Sequence, residues 1–179
     1  MKGRSSAIKV EIFREGTATF AVLDGASVPR LLDRLRQWQP EFECLYSGEV
    51  KPDLAEVAPY LVRMEPDTEF ANWVLAEGWG NHWGIFVVAD ADLRAVRQHL
   101  RRFLTVHDES GKPLLFRYYD PRVLRVYLPT CNAGELVELF GPIVYYVAEG
   151  EEPDTVLRFE VRGAELERRE TQLSAPKPN

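Results

Sequence analysis

Residues 83–100 read WGIFVVADADLRAVRQHL. Trp83–Ala89 is apolar without a break, the pattern of a strand covered on both faces rather than one. Asp90 or Asp92 then offers a carboxylate to cap a helix running to about Leu104. Leu93, Val96, Leu100 and Phe103 recur at helical spacing, with His99 at the edge of their stripe. Arg94, Arg97, Arg101 and, further round, Arg102 give the same helix a second, basic face. A buried strand feeding an amphipathic helix is the repeating unit of α/β domains.

The flanking sequence extends the pattern. Ile8-Lys9-Val10-Glu11-Ile12 alternates apolar and polar residues and reads as a half-buried strand, paired in a hairpin with Thr17–Leu23. Ser27, with Pro29 behind it, reads as the cap of a helix carrying Leu31, Leu32, Leu35 and Trp38 on one side. Phe42–Tyr46 and Pro59–Met64 read as strands, and Pro66-Asp67-Thr68 opens a helix that Gly78-Trp79-Gly80-Asn81 breaks. Beyond the basic helix, Leu114–Tyr119 reads as a strand and Asp120-Pro121 as a helix start. Thr130 or Asn132 starts another helix, ended by Gly141-Pro142. Ile143–Val147 and Thr155–Val161 read as late strands joined by an acidic turn. The expectation is a single α/β domain over residues 1–162, a mixed sheet flanked by helices with hairpins near both ends, followed by a charged, flexible tail over residues 163–179.

Composition narrows the function. The chain has 179 residues, 45% hydrophobic and 28% charged, with a net charge of −6, which opposes general nucleic-acid binding. The charge is uneven: residues 93–125 hold eight bases against three acids, and residues 41–77 nine acids against two bases. No secretory leader or membrane-length apolar run is read, so the expected setting is cytoplasmic. Cys44 and Cys131 have neither a disulfide-framework nor a zinc-ligand spacing. No metal motif, phosphate loop or nucleophile elbow is present, and no cofactor is expected. His82 or His99 with Cys44 or a carboxylate is the arrangement that would suit a small hydrolase or transferase.

The richest polar cluster is Phe116-Arg117-Tyr118-Tyr119-Asp120-Pro121-Arg122. Arg117 and Arg122 can each fork onto a carboxylate, and Asp120 can accept backbone N–H groups of the next turn. This reads as an Arg–Asp network locking a strand–helix corner, or as an arginine pair offered to a partner. Trp79 and Trp83 flank a Gly-Asn-His loop and read as core residues or as interface anchors.

The ordered strings FAVLDGA (Phe20–Ala26), CLYSG (Cys44–Gly48), APYLV (Ala58–Val62), WGNHWGIF (Trp79–Phe86), RQHLRRFL (Arg97–Leu104), LFRYYDPRVL (Leu115–Leu124) and FGPI (Phe140–Ile143) together resemble the bacterial type VI secretion effector chaperones, or adaptors, a family catalogued as a domain of unknown function. The resemblance covers about Thr17 to Val147. It implies a non-enzymatic protein that binds a toxic effector and helps load it onto the VgrG spike. It places the family's signature on Arg117, Asp120, Pro121 and Arg122, and its basic helix on His99 to Phe103. Many members continue into a helical lobe, whereas little sequence follows Val161 here. The partner surface expected from these residues is Arg94, Arg97 and Arg101 with Trp79 and Trp83, either as a groove between basic helix and Trp loop or through sheet-edge pairing with an effector strand.

Overall fold

In the computed structural model, which describes residues 2–152 and 154–173, one antiparallel sheet carries helices on both faces. Its seven strands are β1 (Ala18–Asp24), β2 (Phe42–Cys44), β3 (Pro59–Met64), β4 (Gly84–Ala89), β7 (Ile143–Glu149), β8 (Thr155–Arg162) and β9 (Glu165–Gln172), in the order β2-β3-β1-β4-β7-β8-β9. Strand β4, the apolar run, lies at the middle of the seven and is buried from Ile85 to Ala89. A separate two-stranded ribbon pairs β5 (Thr105–His107) with β6 (Pro113–Leu115).

Side-chain alternation along the strands sorts the core into two layers. Ala21, Leu23, Phe86 and Val88 point to one face, under α1 (Lys2–Ile12), α2 (Leu31–Trp38) and α4 (Glu69–Trp73). Phe20, Val22, Ile85 and Val87 point to the other, under α5 (Leu93–Arg101), α6 (Pro121–Tyr127) and α7 (Ala133–Phe140). The short α3 (Pro52–Val57) buries no residue of its own. Three caps fall on candidates that the sequence offers, Asp92 over Asp90 and Asn132 over Thr130. Thr68, Asp92 and Asn132 accept from Ala71, Ala95 and Glu135 N–H, and Asn132 completes a reciprocal capping box with Glu135.

The α/β class and the C-terminal hairpin are as expected, but the sheet is antiparallel at every pairing rather than mixed. The crossover through α4 does make β3 and β4 parallel, yet β1 lies between them and pairs antiparallel with both. The expected N-terminal hairpin is also replaced. Residues 2–12 form helix α1, because Ile8, Glu11 and Ile12 are buried at i, i+3 and i+4 while Val10 is 77% exposed. Ser27 does not cap α2; its hydroxyl bonds to Asp24, and Arg30 precedes the helix in left-handed backbone. The expected strand over Leu114–Tyr119 is cut to β6, and residues 116–120 turn away from it. Within the segment expected to be a flexible tail, Glu165–Gln172 is the outer strand β9 and Leu173 is buried; residues 174–179 lie outside the described residues.

Candidate functional site

The signature residues converge on the end of β1. Gly25 brings the chain so close to the carbonyls of Glu56 and Ala58 that a side chain would collide with backbone, and its N–H donates to Ala58 O at 3.0 Å. That approach places Asp24 beneath the turn, 2% exposed, where it accepts from Ala26 N–H at 3.1 Å and Ser27 Oγ at 2.7 Å. The Arg117 guanidinium donates to the same carboxylate. Tyr119 packs alongside, and burial together with the Asp24 charge pushes its hydroxyl well above the ordinary tyrosine range. Burial also works against the Arg117 charge, but Asp24 outweighs it and holds Arg117 protonated more firmly than usual.

Asp120 forms the second half of the corner. It caps α6 by accepting from Arg122 N–H at 2.9 Å and takes the Arg122 fork at 3.0 and 2.7 Å, with Pro121 at the first helical position. Burial would raise its pKa, but the bonds from Arg122 lower it below the ordinary aspartate value. Arg117 therefore belongs to Asp24, 93 residues away, and Arg122 to Asp120. Asp24 ends an apolar strand, and that position was the one sequence signal for it.

The basic face of α5 divides. Arg97 donates to Cys44 O at 2.8 Å and Tyr46 O at 3.4 Å, and lies 3.6 Å from Glu43. Arg101 donates to Ser47 Oγ. Both reach around the free edge of β2, so they hold the sheet margin instead of forming an open stripe. Arg94 is exposed and makes no ion pair among the described residues. Trp79 and Trp83 are 6% and 9% exposed and belong to the core of the opposite face, Trp83 packing on Trp73 with ring centroids 4.8 Å apart. The sheet stands between them and α5, so the expected groove joining the two does not form.

Cys44 sits on β2, separated from β4 by β3 and β1, while His82 lies in the loop just before β4. Three strand spacings, about 14 Å, divide Cys44 from that side of the sheet. Burial pushes the Cys44 thiol up. His82 Nδ1 lies 2.8 Å from buried Glu149, whose carboxylate also accepts the His82 N–H. His99 donates from Nε2 to Leu139 O at 2.9 Å between α5 and α7, and burial lowers its pKa. The structure brings neither histidine to a cysteine, while His82 does meet a carboxylate, that of Glu149. Among the described residues no cluster of three His, Cys, Asp or Glu is placed to hold a metal, and no helix is long and apolar enough to cross a membrane.

Two surface features were not read from the sequence. The acidic stretch borders a groove of about 700 Å³ lined by Trp38, Glu41, Arg63, Glu65, Asp67 and Glu69, in which Arg63 pairs Glu65 and Lys9 pairs Asp67. The β5–β6 ribbon is exposed along its whole length, residues 105–115, including Val106, Leu114 and Leu115.

With this geometry in view, a family profile described as "Domain of unknown function (DUF4123)" matches residues 19–138. The chain belongs to the DUF4123 family. The DUF4123 span runs from β1 into α7 and so contains Asp24, the basic helix, the exposed ribbon and the Arg117–Arg122 corner. Comparison with curated proteins and with solved structures finds no match.

Proposed function

We propose that this chain is a non-enzymatic adaptor that binds a particular type VI secretion effector in the producing cell's cytoplasm and assists its loading onto the VgrG spike. DUF4123 membership over residues 19–138, joined to the ordered strings quoted above, carries the reading. The disposition of the signature residues supports it. Arg117, Asp120 and Arg122 are spent on ion pairs that fix a corner, a use suited to a rigid scaffold. The recognition surface is then provided by groups that the scaffold leaves exposed, and a binding module needs no activated nucleophile.

The test is affinity purification of the tagged chain from its native host while the secretion system is expressed, with mass spectrometry of what stays bound. Recovery of one large toxin-like protein, with or without VgrG, is the expected result. A chain that emerges alone under those conditions would overturn the reading.

A further inference from the structure

Hydrogen-bond alternation fixes which backbone groups of the β5–β6 ribbon face outward. Phe116 N–H donates to Leu104 O at 2.8 Å and Asp108 N–H to Lys112 O at 3.1 Å. In an antiparallel ladder these bonded pairs alternate with non-bonded ones, so Val106 and Leu114 bond inward to each other. Thr105 and His107 therefore turn their N–H and C=O outward on β5, and among the described residues no backbone group of another element bonds to them. On β6 the outward residues are Leu115 and Pro113, and proline has no N–H to give. One edge of the ribbon is a complete template for another strand; the opposite edge is broken by proline.

The side chains match that asymmetry. Val106 and Leu114, directly opposite on one face, are 40% and 44% exposed, and Leu115 on the other is 52% exposed. A two-stranded ribbon is marginal alone in water, and three large apolar side chains on its surface favour cover. Charge selects the kind of cover. Arg102 stands at the ribbon's root and Lys112 opens its return strand, neither with a carboxylate partner among the described residues. The ribbon's own acids, Asp108 and Glu109, are at the far tip, where Asp108 is engaged by Ser110 and Lys112 N–H.

We propose that the outer edge of β5, Thr105–His107, receives an extended segment of the client protein as a third strand. That segment carries apolar side chains that cover Val106 and Leu114, and carboxylates near the root that meet Arg102. The identity of the partner as a secretion client rests on the adaptor reading above; the edge and its chemistry rest on the ribbon.

The experiment titrates a blocked synthetic heptapeptide of alternating Glu and Val into the isotopically labelled full chain, followed by amide NMR. Saturable shifts confined to residues 105–115, with slowed exchange of the Thr105 and His107 amides, are expected. A Lys–Val counterpart should bind at least tenfold more weakly. His107→Pro, which removes one outward N–H, and separately Val106→Ser with Leu114→Ser, should each weaken binding at least tenfold while leaving the β4 amides unshifted. Absence of saturation, equal binding of the lysine peptide, or shifts centred on β2 or β9 would overturn the proposal. So would a client from the affinity purification that is retained equally by the Val106→Ser, Leu114→Ser chain; that result leaves the adaptor reading standing. A chain that binds the peptide yet retains no client keeps the edge assignment and sinks the adaptor.

Discussion

Asp24 and Arg117 are a long-range pair in which one partner is deeply buried and the other half-exposed. Removing either leaves the other's polar atoms under-satisfied, so Asp24→Ala and Arg117→Ala should each cost about 1–3 kcal/mol. The double variant should cost clearly less than the sum, as measured by urea unfolding. Asp120→Ala loses a helix cap and orphans Arg122, and about 1–2 kcal/mol is expected. Because the folded-state pKa of Asp120 is depressed, its contribution is present above the ordinary aspartate value near 3.9 and vanishes as pH falls through the lower folded value. The gap between wild type and Asp120→Ala should therefore narrow at pH 2–3. His99 behaves alike in sign at a higher pH. Burial depresses its folded pKa, so the fold loses stability as pH falls below the ordinary histidine value near 6.5, and His99→Gln should flatten that slope. Gly141, at φ 46°, lies against the His99 ring, and a methyl group there would press into it. Gly141→Ala should cost about 1–3 kcal/mol in the same assay.

Each element answers to its own local logic. Arg97 covers the bare margin of β2, so Arg97→Ala should speed amide exchange at Leu45 and Arg63, whose N–H groups tie β2 to β3, while β4 stays protected. Arg94→Glu, by contrast, should leave the melting temperature unchanged within about 1–2 °C, since Arg94 is exposed and makes no ion pair among the described residues. Legibility in the sequence followed the range of the forces involved. Strand β4, the helix capped at Asp90 or Asp92, the Asp120-Pro121 start and a helix start at Thr130 or Asn132 were all readable, because caps and apolar runs act within a few residues. Helix α1 was not: apolar residues at 8, 10 and 12 satisfy a strand's period, and only packing shows that 8 and 12 are buried while 10 is not. Asp24 escaped notice as Arg117's partner because the pair spans 93 residues. The internal use of Arg97 and Arg101 escaped for the same reason, since a basic helix face looks identical whether it meets solvent or a sheet edge.

At the scale of the molecule, the sheet is a wall with an apolar layer on each side, and β4 is its centre. Ile85 is fully buried, and Ile85→Ala should cost about 2–5 kcal/mol, the largest loss among the substitutions considered, read from denaturant midpoints. Chain order and spatial order disagree within this wall. Strand β1 pairs with Pro59–Met64 on one side and Gly84–Ala89 on the other. During synthesis, the first of these partners emerges well before the second. At about 5–20 residues per second, β1 spends on the order of seconds at the ribosome with one apolar margin bare. A protein proposed as an escort for another chain would thus itself pass through a stage of birth in which it needs shielding, and its yield in cells should be most sensitive to ribosome-associated chaperones during the synthesis of residues 65–89.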